Sequence, residues 1–126
     1  RLPSGRVLYF SRPVVDDVKN CIEYEGMDTY TRKWSKQQGY GGKLVENVCQ
    51  GIARDFMAQA MLTLDKELAP HQDGIILTVH DEVICEVRKD RYTKEHLVSL
   101  MEQVPDWGVG CPISVKGWMC ERYLKT

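Results

Sequence analysis

The sequence feature that most constrains the fold is the tripeptide His80-Asp81-Glu82, which lies between two apolar runs of strand length. These runs, residues 75–79 and 83–87, are rich in β-branched side chains, and only the tripeptide separates them. Two strands joined so closely predict a tight hairpin with charged groups at its tip. Adjacent carboxylates repel each other unless a cation lies between them, so Asp81 and Glu82 are candidate ligands for a hard divalent ion such as Mg²⁺. The alternative interpretation is an acidic surface turn.

The composition is typical of a single soluble domain. The 126 residues are 43% hydrophobic and 28% charged, which is enough for one core. No apolar stretch approaches the length of a membrane span and no signal peptide opens the chain, so we expect a cytoplasmic protein without a membrane partner. Because the chain begins with Arg1 and not Met, we expect a processed product or an excised piece. The five cysteines contain no C-x-x-C pair, which favours reduced thiols over a zinc site or a disulfide framework.

Charge is distributed unevenly along the chain. Residues 1–43 carry eight Lys and Arg against five Asp and Glu, whereas the remainder carries nine against thirteen. A mildly basic first third is compatible with nucleic-acid binding, but an excess this small is also that of an ordinary solvated surface.

The order of apolar patterns predicts an α+β fold, with an antiparallel sheet on which a long helix and a shorter helix pack. We expect one domain over residues 1–126, divided into a β-hairpin region (1–42), a long helix (43–69), a hairpin (73–90), a helix (93–104), and a terminal strand and tail (112–126). In the first region, a short strand around Val7–Ser11 should end at Pro13. A hairpin should then pair Lys19–Tyr24 with Thr29–Ser35, and Gly39, Gly41 and Gly42 should break the chain.

The long helix has a wide apolar face and a separate polar stripe. Apolar residues recur at three- and four-residue steps: Val45, Val48, Ile52, Phe56, Met57, Ala60, Met61, Leu64 and Leu68. We expect Ile52 and Phe56 to be buried. The polar stripe, formed by Lys43, Glu46, Asn47, Gln50 and Arg54, is either a hydrated face or a binding surface. Gly51 costs about 1 kcal/mol in a helix interior, so it marks a close approach by another backbone or a ligand.

The last third of the chain contains a second helix and a final apolar run. Thr93 is suited to cap the helix, whose buried stripe should consist of Leu97, Leu100, Met101 and Val104. Ile113–Lys116 alternates between apolar and polar side chains, which predicts a terminal strand.

Two motifs together resemble a known family. Residues 50–55 read Gln-Gly-Ile-Ala-Arg-Asp within the predicted helix, and residues 79–83 read Val-His-Asp-Glu-Val on the predicted hairpin. This pair is similar to the C-terminal part of family A DNA polymerases, the bacterial polymerase I type. Residues 2–6 (Leu-Pro-Ser-Gly-Arg), residues 40–44 (Tyr-Gly-Gly-Lys-Leu) and the closing Gly117-Trp118 resemble its phage or prophage branch.

The resemblance implies a role for each residue of the two motifs. His-Asp-Glu corresponds to the third polymerase motif of the palm, where Asp81 would ligate the catalytic Mg²⁺ ions, Glu82 would support them, and His80 would contact the primer end. Two cations about 3.5–4 Å apart activate the primer 3′-hydroxyl and stabilise the leaving pyrophosphate. Gln50 matches a glutamine that touches the minor groove, whose N3 and O2 acceptors vary little with sequence. Lys43, Glu46 and Arg54 share its stripe and are further candidate nucleic-acid contacts.

This sequence also departs from the family pattern. Glu46 stands where the family has asparagine, and Gly42 where it has arginine, with Lys43 beside it as a substitute. Nothing matches the first motif, an Asp-Tyr-Ser-Gln-Ile-Glu-like strand with the other metal-binding aspartate, and Asp16-Asp17 has the wrong setting for it. Arg32, Lys36 and Tyr40-Gly41 imitate the nucleotide-binding fingers helix, but the spacing is too short and the glycines exclude a stable helix.

Three hypotheses follow. The first is the C-terminal palm segment of a DNA polymerase, with half of a two-metal Mg²⁺ site and no activity alone. Its partners in a bacterial or phage-infected cell would be primer–template DNA, deoxynucleoside triphosphates and the remaining polymerase domains. The second is a non-catalytic prophage remnant or split-gene subunit that binds DNA or a partner polypeptide. The third is an acidic-hairpin cation-binding domain. Apolar surface left uncovered by absent domains would favour self-association.

Overall fold

The chain forms an α+β fold in the computed structural model, which describes residues 1–123. In chain order the elements are β1 (Ser11–Asp16), β2 (Cys21–Met27), β3 (Trp34–Gly39), α1 (Gly41–Leu68), β4 (Gly74–Val79), β5 (Glu82–Glu86) and α2 (Lys94–Met101). Short 3₁₀ turns lie at Ala69–His71 and Asp106–Gly108. The predicted fold class is confirmed, and the strands are divided between two antiparallel sheets, β1-β2-β3 and β4-β5.

Two compact units make up the described chain. The first comprises Arg1–Ala53 and contains the three-stranded sheet, and the second begins at Arg54 and contains the β4-β5 hairpin and α2. Helix α1 belongs to both, with residues 41–53 in the first unit and residues 54–68 in the second. Within residues 1–123, no helix combines the length and the apolar character needed to cross a membrane.

The first strand does not lie where the sequence predicted it. A strand around Val7–Ser11 ending at Pro13 is wrong, because β1 begins at Ser11 and contains Pro13. Proline has no N–H to donate to a ladder, but β1 is an edge strand and its register against β2 shifts between Ser11 and Val14. Pro13 lies inside this irregularity, where no ladder hydrogen bond is required of it.

Strands β2 and β3 form a hairpin as predicted, but the predicted second strand, Thr29–Ser35, is wrong, because β3 begins only at Trp34. Helix α1 follows earlier than expected. The pairing runs from Ile22 opposite Gly39 to Met27 opposite Trp34. Gly42 lies in the first helical turn and does not break the chain. The first N–H groups of a helix have no intrahelical partner, so glycine disrupts little there. The Tyr40 ring packs over Gly42, where a Cβ atom would lie 2.8 Å from Tyr40 Cε2.

Gly51 marks a close approach, but by side chains of the N-terminal segment and not by the backbone or ligand that the sequence predicted. The N-terminal segment lies against this point of α1, and a Cβ atom on Gly51 would be 2.9 Å from Leu2 Cδ1 and 3.4 Å from Leu8 Cδ2. Leu2 is buried, and Arg6 Nη2 donates a hydrogen bond to the Gly51 carbonyl at 2.9 Å. The helix therefore carries glycine because a larger residue would separate the N-terminal segment from it.

Replacing Gly51 by leucine should lower the free energy of unfolding by about 1–3 kcal/mol, since overpacking forces neighbouring groups to move. Amide hydrogen exchange of residues 2–8 should accelerate, because Leu2 and the Arg6 hydrogen bond are displaced together. Gly41→Leu is the matched control, since nothing lies within 4 Å of a Cβ atom there. Urea denaturation with equal midpoints for the two variants would contradict the close approach.

The second unit has its core where the C-terminal half of α1 meets the hairpin and α2. Leu64, Leu68 and Tyr92 are buried there, and partly buried side chains pack around them: Ile75, Val83, Cys85, Val87, Leu97, Leu100 and Met101. The Tyr92 hydroxyl donates to the Glu67 carbonyl at 3.3 Å, which satisfies its polar end. Burial raises the pKa of the Cys85 thiol.

The apolar face of α1 is less buried than predicted. Ala60, Leu64 and Leu68 are buried at four-residue steps, but Ile52 and Phe56 are only half-buried, so their predicted full burial is wrong. Phe56 packs against Trp107, with ring centroids 4.5 Å apart, and against Gly108, on the short 3₁₀ turn after α2. A 3₁₀ turn covers one side of an aromatic ring, whereas a sheet or a second helix would enclose it.

The first unit leaves apolar surface open as well. Val45 and Val48 are exposed, contrary to the predicted apolar face. Val48 lines an apolar groove of 480 Å³ together with Leu2, Leu44 and other residues of the same unit.

The region after α2 differs from the prediction in two respects. Thr93 is the N-cap as expected, with its hydroxyl oxygen accepting from the His96 N–H, but α2 ends at Met101 and Val104 is exposed. Pro105 excludes Val104 from the helix, because the residue before a proline avoids helical geometry. The predicted strand over Ile113–Lys116 is wrong. The Val115 N–H donates to Glu102 Oε1 at 2.9 Å instead of joining a ladder. The last part of the predicted tail, residues 124–126, lies outside the described residues.

Candidate functional site

The β4-β5 hairpin places the acidic pair at its tip. Val79 pairs with Glu82, so only His80 and Asp81 form the turn. The prediction that Asp81 lies at the tip of a hairpin is confirmed. A two-residue turn is the shortest common hairpin connection, and it holds its residues more rigidly than a longer loop does.

His80 explains how the turn forms without glycine. Two-residue hairpin turns of types I′ and II′ need a positive φ at their first central residue, a conformation that glycine adopts most easily. His80 takes it, with φ of 53°. A side chain in this region costs about 1–2 kcal/mol. Such strain is concentrated at functional sites, where the surrounding structure maintains it. Apart from the absence of the usual turn residues, nothing in the sequence signals this conformation.

Both carboxylates of the tip are free of internal partners. Asp81 is exposed and Glu82 half-buried, and neither forms a hydrogen bond or an ion pair with another residue of the described chain. Both carboxylates are therefore accessible to an external ligand. His80 is exposed beside them.

The pair fits part of a Mg²⁺ site. Residues 1–123 contain no group of three or more His, Cys, Asp or Glu side chains arranged to hold a metal ion. Mg²⁺ normally uses one or two carboxylates, keeps several waters, and takes further ligands from bound phosphates. Asp81 and Glu82 are ligands of the kind that such a site uses, and they do not form a closed cage; that they bind Mg²⁺ stays a prediction.

Asp73 links the two segments at the base of the β4-β5 hairpin. Its carboxylate is almost fully buried, accepts from the Arg88 N–H at 3.1 Å, and lies 3.7 Å from Arg91 Nη1. Arg88 Nη2 also donates to the His71 carbonyl at 3.0 Å. A buried carboxylate is stable only when paired, so these contacts tie the loop before β4 to the segment after β5.

The polar stripe of α1 is present, and two of its members are paired. Gln50 and Arg54 are exposed, and Lys43 Nζ lies 3.0 Å from Glu46 Oε2. The hydrogen bond from Lys43 to Glu46 raises the pKa of the lysine. Glu46 departs from the family pattern, and Lys43 stands beside the other departure at Gly42; the side chains of Glu46 and Lys43 form an ion pair with each other. The ion pair between Lys43 and Glu46 was not predicted, although residues three positions apart on a helix are neighbours.

The other candidate positions do not form a second acidic or nucleotide-binding site. Asp16 Oδ1 accepts from the N–H groups of Val18 and Lys19, and hydrogen bonds to Lys19 lower the pKa of the Asp16 carboxyl. Its carboxylate therefore serves as a turn cap. Arg32 lies in the β2–β3 turn and Lys36 in β3, so the exclusion of a fingers helix there is confirmed. That Gln50 faces the same side as His80 stays a prediction.

Comparisons with known proteins agree with the motif pair. The family model described as DNA polymerase family A matches residues 27–125. The DNA polymerase of Bacillus phage SP02 is 32% identical over 129 residues, an alignment that covers 99% of this chain and 19% of the phage protein. The chain thus spans about a fifth of the length of that relative. No solved structure matches.

Proposed function

The chain belongs to DNA polymerase family A, and on that premise we propose that it acts as the C-terminal palm segment of a template-directed DNA polymerase. In this role it supplies metal-binding carboxylates and primer-terminus contacts for replication or repair synthesis. Its partners are primer–template DNA, deoxynucleoside triphosphates and the remaining polymerase domains, in the cytoplasm of a bacterial or phage-infected cell.

The observation that carries the proposal is the exposed, unpaired Asp81 on a two-residue turn, followed directly by Glu82. Bound Mg²⁺ would supply Lewis-acid stabilisation of the attacking and leaving oxygens. Asp81 holds that charge at a defined point on a short turn, and Glu82 adds a second carboxylate beside it. His80, exposed at the same turn, orients the primer end by hydrogen bonding.

The helix stripe provides a second set of contacts in this proposal. Gln50 donates to the N3 and O2 acceptors of the minor groove, which lets it sense base-pair shape without reading sequence. Glu46 has no proton to donate to those acceptors, so its role is to hold Lys43. An exposed ion pair is worth at most about 1 kcal/mol, so Lys43 exchanges Glu46 for a DNA phosphate at little cost. Arg54 is available for another phosphate.

A segment exchange tests the proposal. This chain replaces the aligned part of the Bacillus phage SP02 polymerase, and the chimera is assayed for template-dependent primer extension. We expect extension by the chimera and none by the 126-residue chain alone, because the chain has one carboxylate pair and lacks the aspartate of the first motif. The phage polymerase with the segment deleted is the control. A chimera that binds primer–template normally but does not extend it would support a non-catalytic role and contradict the proposal.

A further inference from the structure

We propose that the turn between β2 and β3 and the start of β3 bind single-stranded DNA. We call this surface the basic-aromatic tip; it consists of Tyr30, Arg32, Lys33, Trp34 and Lys36. It belongs to the first unit, whereas Asp81 belongs to the second. The inference takes from the proposed function only that the chain works on DNA, and its test measures binding without synthesis.

The cations of the tip form no close ion pair, although Lys36 lies opposite Glu25 in the β2–β3 pairing and its charge helps to lower the pKa of Glu23. Arg32, Lys33 and Lys36 are exposed, and none forms an ion pair within 4.0 Å in the described chain. Two cations on the same sheet behave differently: Arg12 pairs with Glu25 and Lys19 with Asp16 and Glu23. The whole chain carries a net charge of −1, so three exposed cations within five residues are a local property. Free cations close together attract a polyphosphate backbone.

Two aromatic rings accompany the cations. Tyr30 is 94% and Trp34 is 61% exposed, so both rings are accessible to a ligand. The Trp34 indole N–H donates to Glu25 Oε2 at 3.4 Å, which restrains the ring. Bases of a single strand stack on exposed aromatic rings with little dependence on sequence, while cations track the backbone.

The turn is held in one conformation before any ligand binds. Asp28 Oδ1 accepts from the N–H groups of Tyr30 and Thr31 and from the Thr31 hydroxyl, at 3.0, 2.7 and 3.0 Å. These hydrogen bonds lower the pKa of the Asp28 carboxyl. The Asp28 N–H donates to the Lys33 carbonyl at 2.9 Å, and Arg32 has φ of 56°. A preformed turn loses little entropy on binding.

Single-stranded DNA fits this surface better than a duplex does. A duplex offers phosphates to the cations but keeps its bases stacked inside, which leaves Tyr30 and Trp34 without a partner. An acidic polypeptide would pair with the cations, but it has no series of flat rings to match the aromatic pair. Only an unpaired strand presents phosphates and free base faces together.

The test is fluorescence anisotropy with a labelled oligothymidylate of about ten nucleotides. Trp34→Ala should weaken binding about tenfold and the double variant Tyr30→Ala/Trp34→Ala about a hundredfold. Trp34→Phe and Tyr30→Phe keep a ring and should stay close to the parent affinity. Neutralising Arg32, Lys33 and Lys36 with glutamine should make the slope of log K against log salt concentration less negative by about two.

Matched controls are Tyr9→Ala, at a ring that is 83% exposed, and Lys66→Gln, at an exposed lysine of α1. Both should bind like the parent. Duplex of the same sequence should bind at least about tenfold more weakly. Equal binding of duplex, or parent affinity in Tyr30→Ala/Trp34→Ala, would overturn the proposal. A further outcome would also overturn it: the variants bind oligothymidylate like the parent but no longer associate with the segment-deleted phage polymerase. The tip would then be a protein interface.

Discussion

Asp81→Ala should reduce primer extension by the chimeric polymerase by at least about a thousandfold, which corresponds to about 4 kcal/mol of lost transition-state stabilisation. The exposed Asp81 carboxylate has no partner among the described residues, so its removal leaves the hairpin itself intact. The lost charge acts on the reaction and not on DNA binding, so the primer–template dissociation constant should stay within about threefold of the parent value.

Asp90→Ala is the control for this variant, because Asp90 is exposed in the same unit and also forms no ion pair in the described chain. Glu82→Gln should have an intermediate effect, since it keeps the shape of the side chain and removes only the supporting charge. Single-turnover primer extension measures all three variants. Substantial synthesis by Asp81→Ala would exclude Asp81 as a metal ligand, whatever the behaviour of the chain in DNA binding.

Leu68→Ala should cause the largest loss of stability, about 2–5 kcal/mol in the free energy of unfolding. Leu68 is 0% exposed and lies in the core formed with Leu64 and Tyr92, so truncation leaves a cavity at the end of α1. Leucine and alanine have similar helix propensities, so the effect reports packing.

Leu62→Ala is the matched comparison, because Leu62 lies in the same helix and is 65% exposed. Its effect on the free energy of unfolding should be within about 0.5 kcal/mol of zero. Urea denaturation followed by circular dichroism distinguishes the two variants. Similar midpoints for Leu62→Ala and Leu68→Ala would show that the core of the second unit does not lie where the structure has it.

The hairpin and long helix were predictable because their signals are local. Two apolar runs around His80-Asp81-Glu82 leave one arrangement, and Thr93 caps α2 as its side-chain chemistry requires. Pro13 in β1 and the missing strand over Ile113–Lys116 were not predictable, since each depends on a tertiary setting. An irregular edge tolerates the proline, and the Glu102 side chain takes the Val115 N–H that a ladder would need.

The candidate site was predictable in kind but not in detail. The chemistry of Asp81 and Glu82 makes them candidate cation ligands, which stays a prediction, whereas their assignment to DNA synthesis rests on the family. The positive φ of His80 and the ion pair between Lys43 and Glu46 needed coordinates. The prediction that Phe56 is buried was wrong, because a helical pattern shows which side of the helix faces inward but not how much structure covers that side.

The contact of the N-terminal segment with Gly51 closes a long loop that contains the three-stranded sheet. Arg6 and Gly51 are 45 positions apart, and the whole sheet lies within the loop that their hydrogen bond closes. Halving such a loop changes its closure entropy by only about 0.6 kcal/mol. A change in the length of the β2–β3 turn, and with it of the basic-aromatic tip, should therefore cost little closure entropy while Leu2 and Arg6 keep their contacts with the helix.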